Sequence, residues 1–191
     1  FKRKDKILLK GETGSGKSTF LKFLSGNQLA NFIINNDNKK KENFTSTYLK
    51  FNMVSYIPQN PILFNFSIAK NISMELNDDN IDYEKISKLF KELRLKKFCD
   101  SLDQKLSLDG SSISGGERQR MSIARGLYND PEIIIMDEPF SSVDDETRDI
   151  VTNFLEKILI EKTLIISSHN NESESFYNRI FTIKNGKIDE N

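Results

Sequence analysis

The stretch Gly11-Glu12-Thr13-Gly14-Ser15-Gly16-Lys17-Ser18-Thr19 decides the fold of this chain. It follows the short apolar run Ile7-Leu8-Leu9 and precedes a segment with helical apolar spacing, Phe20 to Leu24. A strand, a glycine-rich loop and a helix in this order are typical of a phosphate-binding loop. Glycines allow successive backbone N–H groups to face an anion, and the N-terminus of the helix adds further free N–H groups. The sequence therefore predicts that the chain binds a nucleoside triphosphate.

Two side chains at the end of this loop have predicted roles of their own. Lys17 is expected to reach the β- and γ-phosphates. The Ser18 hydroxyl is expected to ligate Mg²⁺. The nucleotide and Mg²⁺ are thus the expected cofactors.

Composition excludes several other classes of protein. Among 191 residues, 28 basic side chains balance 28 acidic ones, so we expect no nucleic-acid partner and no anionic membrane surface. The single cysteine, Cys99, excludes an internal disulfide and fits a reducing compartment. No apolar run approaches the roughly 20 residues that span a bilayer. Because the chain begins with Phe1 and reaches the loop almost at once, we expect it to be part of a longer polypeptide.

Apolar runs and helical patterns alternate along most of the chain, which predicts the α/β class. Strands are expected at Met53 to Ile57, at Ile133 to Met136 and at Leu164 to Ile166, with a closing hairpin from Ile180 to Ile188. Asn35 to Asn43 is expected to be a solvated loop or hairpin tip. Between the first two strands, two successive helical stripes predict an inserted all-helical segment: Ile86, Leu89, Phe90 and Leu93, then Leu95, Phe98, Cys99 and Leu102.

Polar residues that follow the predicted strands are the candidate catalytic groups. The carboxyl ends of parallel strands meet at the ligand-binding edge of a sheet, beside the phosphate loop. Asp137 at this edge could hold Mg²⁺ through its water shell, and Glu138 could accept a proton from an attacking water. His169, the single histidine, could hydrogen-bond the γ-phosphate. Gln59 could ligate Mg²⁺ or orient water.

A second candidate anion site lies at Ile113-Ser114-Gly115-Gly116-Glu117. Ser114 and Glu117 have the spacing of a capping box. That box does not explain the two adjacent glycines, which lower helix stability in a first turn. Exposed N–H groups and a hydroxyl at a helix N-terminus could bind phosphate. Because Lys17 already serves one phosphate chain, this motif suggests that two chains share each nucleotide.

Taken together, these motifs resemble the nucleotide-binding domains of ABC transporters. The resemblance covers essentially the whole chain, in the family's order. The matching segments are Gly11 to Thr19 (Walker A), Gln59 (Q-loop), Ile113 to Glu117 (the signature, L-S-G-G-Q in the family), Ile133 to Glu138 (Walker B and catalytic glutamate), Ser141 to Asp144 (D-loop) and His169 (switch histidine). The run Leu63 to Ile72 resembles the exporter branch.

The resemblance implies a P-loop, RecA-like ATPase core at 1–61 and 119–191 with a helical subdomain at 62–118, and an absent N-terminal antiparallel β part. It implies ATP and Mg²⁺ as cofactors, and head-to-tail dimerisation with a second cassette. Ser114 to Glu117 and Asp144 of one cassette would then meet the Walker A loop of the other. Transmembrane domains, on the same longer polypeptide or a separate chain, would hold the pair at the cytoplasmic face of a membrane.

Three departures from the family pattern bear on these expectations. The signature has Ile113 for Leu and Glu117 for Gln, which places a negative charge near the nucleotide. Leu108 stands where many exporters carry a glutamate. The family's adenine-stacking aromatic lies well before the Walker A loop, and only ten residues precede that loop here. Base stacking contributes about 1–3 kcal/mol, so we expect weak and poorly base-selective binding by this chain.

Two other functions remain open at the level of sequence. One is a soluble ABC-type ATPase of DNA maintenance or translation, although the chain has neither a long coiled coil nor a tandem cassette. The other is a truncated remnant that binds nucleotide without catalysis, although Glu138 and His169 are retained. The preferred interpretation is a transport-coupled ATPase.

Overall fold

The computed structural model describes residues 2–27, 53–106, 113–141, 143–169 and 174–191, and the backbone of 32–34 and 42–44. Its strands are β1 (Lys6–Lys10), β2 (Phe32–Ile34), β3 (Glu42–Phe44), β4 (Val54–Ile57), β5 (Ile133–Asp137), β6 (Thr163–Ser168), β7 (Arg179–Lys184) and β8 (Lys187–Glu190). Its α-helices are α1 (Lys17–Leu24), α2 (Ile68–Ser73), α3 (Tyr83–Glu92), α4 (Gly115–Tyr128) and α5 (Asp145–Ile158). Short 3₁₀ helices lie at Asp78–Asn80, Lys96–Ser101 and Glu174–Phe176.

Six of the described strands form one mostly parallel sheet in the order β4-β5-β6-β1-β7-β8. Only the pair β7 and β8 in this sheet is antiparallel, which is the closing hairpin that the sequence predicts. Because β4, β5, β6 and β1 run in parallel, their carboxyl ends meet at one edge. This confirms the predicted α/β class and brings the segments after these strands to one side of the sheet.

The two faces of the sheet pack against different helices, as alternation along β5 and β6 shows. Ile135 and Ile165 pack with β1 residues and with Leu21 of α1 on one face. Ile134 and Ile166 belong to the second core, which includes apolar residues of α2, α3, α4 and α5. Side chains alternate between the faces of a strand, so a strand that is buried on both sides is apolar throughout. The helix α1 therefore packs against one face of the sheet, and its N-terminus follows the loop at the carboxyl end of β1.

The helical segment after β4 differs from expectation in its second stripe. The first stripe forms α3, which begins at its N-cap Asp82. The second stripe, Leu95 to Leu102, forms the 3₁₀ helix Lys96–Ser101 instead of an α-helix. Leu95 and Leu102 are still buried in the same core, so packing is kept while the winding is tighter. β2 and β3 pair as an antiparallel hairpin, and most of the predicted loop at 35–43 lies outside the described residues, as does Leu108.

The segment 62–67, which follows Gln59, is held by two polar side chains. The fully buried Asn71 of α2 accepts from the Phe64 N–H at 2.8 Å, and its amide donates to the Phe64, Phe66 and Ser67 carbonyls. Arg125 of α4 donates to the Asn71 carbonyl and, at 2.9 Å, to the Ile62 carbonyl. Backbone groups of this irregular segment are therefore satisfied by side chains, while Ile62, Phe64 and Phe66 stay exposed.

Replacing Asn71 with alanine is expected to lower the free energy of unfolding by roughly 2–3 kcal/mol, because it removes a fully buried amide and leaves several partly buried backbone groups without their partner. Urea unfolding followed by circular dichroism measures this. The matched control is Asn77→Ala, which removes a single exposed hydrogen bond to the Asp79 N–H and is expected to cost less than about 1 kcal/mol. Equal losses in the two variants would contradict the role of Asn71.

Candidate nucleotide-binding and active site

The glycine-rich loop between β1 and α1 has the backbone that a phosphate cradle requires. Gly14 and Gly16 have φ angles of 81° and 101°, in the left-handed region that favours glycine, and Gly16 is the N-cap of α1. The loop packs closely against β7, because a Cβ on Gly11 would lie 2.7 Å from the Ile183 carbonyl oxygen. The Ser15 hydroxyl is buried and has no hydrogen-bond partner among the described residues. An orphaned buried hydroxyl in such a loop fits a phosphate oxygen as its partner.

Lys17, the first residue of α1, is folded back over the loop and is only 3% exposed. Its ammonium donates to the Gly11 and Glu12 carbonyls at 2.8 and 3.1 Å. It also lies 3.6 Å from the Glu138 carboxylate and 3.1 and 3.2 Å from the two ring nitrogens of His169. A buried ammonium needs such acceptors and a compensating negative charge, and Glu138 supplies that charge.

Glu138, directly after β5, is the residue on which the predicted catalytic groups converge. Gln59 donates to Glu138 Oε2 at 2.8 Å, and His169 Nε2 contacts Glu138 Oε1. With Lys17 beside the same carboxylate, these four residues form what we call the Glu138 cluster. The sequence singled out each of the four separately, from three strand ends and one loop, and the structure brings them together.

Asp137, the last residue of β5, is buried and lies next to the cluster. The Ser167 hydroxyl donates to Oδ1 at 2.8 Å and the Tyr56 hydroxyl donates to Oδ2 at 3.1 Å. Ser167 also accepts from the Glu138 N–H at 3.0 Å. Burial and the neighbouring Asp137 carboxylate raise the pKa of Tyr56, so the phenol remains a donor. Sequence reasoning missed Tyr56 and Ser167; the available signal was a hydroxyl side chain near the carboxyl end of each strand that flanks β5.

The signature stretch confirms the predicted capping box. Ser114 is the N-cap of α4, its hydroxyl accepts from the Glu117 N–H at 3.2 Å, and Glu117 accepts from the Ser114 N–H at 3.0 Å. Glu117 also forms an ion pair of 2.6 Å with Lys97. Partial burial opposes ionisation of Glu117, but Lys97 and the Ser114 hydrogen bonds outweigh it and hold the pKa of Glu117 below its ordinary value. The negative charge expected in the signature is therefore paired within the same chain.

The signature residues and Asp144 form their side-chain hydrogen bonds with residues outside the Glu138 cluster. Within the described residues, the side-chain hydrogen bonds of Ser114 and Glu117 stay within α4 or reach Lys97. Asp144 is the N-cap of α5, where it accepts from the Thr147 N–H at 2.8 Å and the Thr147 hydroxyl at 3.0 Å. Ser142 of the D-loop lies outside the described residues. Among the described residues of a single chain, these side-chain hydrogen bonds and ion pairs therefore do not connect Ser114, Glu117 or Asp144 with Lys17.

The donor set fits Mg²⁺ bound together with a nucleotide. Among the described residues, no three His, Cys, Asp or Glu side chains are grouped as a metal site. Mg²⁺ commonly uses one or two protein oxygens together with substrate phosphates and waters. Asp137 at the sheet edge and Ser18 of α1 provide oxygens of this kind. A mostly parallel sheet with this loop and a buried carboxylate pair at the end of β5 defines the class of P-loop nucleotide-binding proteins.

Comparison with known proteins narrows this class. The family model for ABC transporters matches residues 1–141, and the chain belongs to that family. Relatives include ABC transporter B family member 21 of Arabidopsis thaliana, 32% identical over 95% of this chain and 14% of that protein. A sublancin-168-processing and transport ATP-binding protein of Bacillus subtilis is 31% identical over 97% of this chain and 26% of that protein.

One more relative and one solved structure are also transport proteins by their names. The ATP-dependent lipid A-core flippase of Pseudoalteromonas translucida is 32% identical over 96% of this chain and 32% of that protein. The fold is shared with a bacterial Atm1-family ABC exporter solved with ATP bound, at a TM-score of 0.78 and 24% identity over 96% of this chain and 32% of that one. The chain therefore spans a third or less of each of these proteins. No helix in the described part of the chain is long and apolar enough to cross a membrane.

The pairing of Glu117 with Lys97 yields a prediction about pH. In a double-mutant cycle with Glu117→Gln and Lys97→Ala, we expect a coupling of about 0.2–1 kcal/mol at pH 7, because Lys97 is largely exposed. A carboxyl whose pKa is lowered by folding stabilises the fold above its unfolded pKa. The coupling should hence decrease below about pH 4.3, the ordinary glutamate value, and vanish as the folded carboxyl is protonated.

Thermal unfolding between pH 3 and pH 7 measures this coupling. Glutamine can still complete the capping box, so Glu117→Gln alone should leave the cap in place. A coupling that is zero at pH 7, or that grows as the pH is lowered, would contradict the pairing.

Proposed function

We propose that the chain is the ATP-binding and ATP-hydrolysing motor domain of an ABC exporter. The observation that supports this most directly is the Glu138 cluster, in which Lys17, Gln59 and His169 surround one carboxylate beside the phosphate loop. Three of its members belong to a loop or strand end that faces the nucleotide in P-loop proteins, and the fourth begins α1. Such convergence is what a phosphoryl-transfer site requires.

In this proposal each residue of the site has a distinct task. The backbone of Gly11 to Thr19 cradles the ATP phosphates and Lys17 neutralises their charge. Glu138 accepts a proton from the attacking water, and His169 donates to the γ-phosphate. Ser18, Gln59 and Asp137 are the residues that would hold Mg²⁺, which when bound neutralises charge on the β- and γ-phosphates. Gln59 also donates to Glu138, so the position of the Gln59 side chain depends on that of the proposed general base.

The signature and Asp144 act, in this proposal, across an interface with a second cassette. Ser114, Gly115, Gly116 and Glu117 would face ATP bound by the Walker A loop of that cassette, and dimerisation would depend on ATP. Support comes from the exposed N-terminus of α4, where a Cβ on Gly115 would meet nothing within 4 Å. We further propose that the chain is divided into an ATPase core at 1–61 and 119–191 and a helical subdomain at 62–118.

An exporter requires transmembrane domains, and one exposed surface suits contact with them. Five exposed apolar side chains lie in the segment 62–67 or shortly after α2: Ile62, Phe64, Phe66, Met74 and Leu76. Exposed apolar side chains in such number suit contact with another protein surface. We place the chain at the cytoplasmic face of a membrane, with no nucleic-acid partner. The relatives, which are named as transporters and a flippase, do not favour a soluble ATPase of DNA maintenance or translation.

The test is the variant Glu138→Gln in the intact protein that contains this chain. Removal of the base should lower kcat of ATP hydrolysis by about 10²- to 10⁴-fold, because general-base catalysis contributes that much. Binding of ATP, measured by calorimetry, should persist. Lys17→Ala should instead weaken ATP binding itself.

The matched control is Glu156→Gln, an exposed glutamate on α5, which should retain full activity. An ATPase rate in Glu138→Gln equal to that of the control would contradict the assignment of Glu138. Absence of ATP binding in the unaltered protein would contradict the proposed function as a whole.

A further inference from the structure

Asp137 is held on both carboxylate oxygens by hydroxyl groups from the two adjacent strands. Ser167 of β6 is the registered partner of Asp137. Tyr56 of β4 is the partner of Ile135, two residues before Asp137, so its side chain lies on the same face. The sheet register therefore aims one hydroxyl at Oδ1 and the other at Oδ2, at 2.8 and 3.1 Å.

Ser167 makes a second contact that Tyr56 does not. Its hydroxyl oxygen accepts from the backbone N–H of Glu138 at 3.0 Å. Glu138 has a φ of 46°, a left-handed backbone that is unfavourable for a residue with a side chain. The fully buried Ser167 thus links the carboxylate of Asp137 to the backbone turn that directs Glu138 into its cluster.

From this geometry we infer that Tyr56 and Ser167 are positioning residues of the hydrolytic site. Tyr56 orients the Asp137 carboxylate alone, and Ser167 orients both Asp137 and the backbone of Glu138. The inference rests on the proposed function, in which Asp137 serves the metal and Glu138 the water. Each hydroxyl occupies one lone pair of a carboxylate oxygen, so the remaining lone pairs are presented in a fixed direction.

A purely structural role is the competing explanation, since buried hydroxyls also stabilise the fold. The two explanations differ in what each variant changes. Loss of a structural hydrogen bond lowers the unfolding temperature and leaves the response to Mg²⁺ unaltered. Loss of a positioning contact to Asp137 changes the Mg²⁺ concentration that the protein needs, and loss of the contact to Glu138 changes kcat when Mg²⁺ is saturating.

The experiment compares Tyr56→Phe and Ser167→Ala with two matched controls in the intact protein. Tyr128→Phe removes a buried hydroxyl that accepts from the Asp82 N–H at 2.8 Å. Thr163→Val removes a buried hydroxyl that accepts from the Lys4 N–H at 2.9 Å, at the opposite end of the same strand as Ser167. Measurements are ATPase rate against Mg²⁺ concentration, ATP affinity by calorimetry with Mg²⁺ and with EDTA, and unfolding temperature.

We expect Tyr56→Phe to raise the Mg²⁺ concentration for half-maximal activity about tenfold, the lower end for loss of a hydrogen bond to a metal ligand. Its kcat at saturating Mg²⁺ should stay within about twofold of the unaltered protein, because Glu138 is untouched. Ser167→Ala should produce a similar shift in Mg²⁺ requirement and also a fall in kcat of about tenfold that excess Mg²⁺ does not restore. ATP affinity in EDTA should be unchanged in both variants, while the gain in affinity from Mg²⁺ should be smaller.

Two results would overturn the inference. One is an unaltered Mg²⁺ response in both variants, with unfolding temperatures lowered as in Tyr128→Phe and Thr163→Val. The other is full recovery of kcat by Mg²⁺ in Ser167→Ala, which would remove the link to Glu138. If the unaltered protein neither binds nor hydrolyses ATP, the proposed function fails first, and that result is distinguishable because it does not depend on any variant.

Discussion

The ammonium of Lys17 is buried, and much of the site is arranged around that single charge. A cation removed from water is tolerated only where oxygen acceptors and a negative charge surround it. Two carbonyl groups of its own loop supply the acceptors, and Glu138 supplies the charge. Glu138 is in turn shared with Gln59 and His169. One electrostatic requirement therefore connects the phosphate loop, the end of β5, the end of β6 and the segment after β4.

The parallel sheet makes this connection possible. Strands β4, β5, β6 and β1 are neighbours or near neighbours, and each ends at the same edge. Their register decides which side chains meet, as it does for Asp137 and Ser167. The backbone hydrogen bonds of the sheet therefore set the positions of these two side chains. Residues in a sheet are less mobile than residues in a loop. A site built in this manner can hold charged groups in place before a nucleotide arrives.

Much of this architecture could be predicted from sequence, because its signals are local. Apolar runs marked β5 and β6, and the spacing of glycines, Lys17 and Ser18 marked the loop. The contacts of Tyr56 and Ser167 could not be predicted, because they depend on the register between strands that are far apart in the chain. The partner of Glu117 was equally hidden, since Lys97 lies on a different element and its approach depends on tertiary packing. The sequence could not distinguish the 3₁₀ helix at Lys96–Ser101 from an α-helix, because the two have the same apolar spacing over so short a length.

The helix α4 has a mechanical consequence that follows from where its two ends are attached. Its N-terminus carries Ser114 and the glycines, and Arg125, ten residues after Gly115, donates to the Asn71 and Ile62 carbonyls. At 1.5 Å per residue these points are about 15 Å apart on one rigid rod. Because these hydrogen bonds attach α4 to the segment 62–67, a tilt of the glycine end of the helix would also displace that exposed segment.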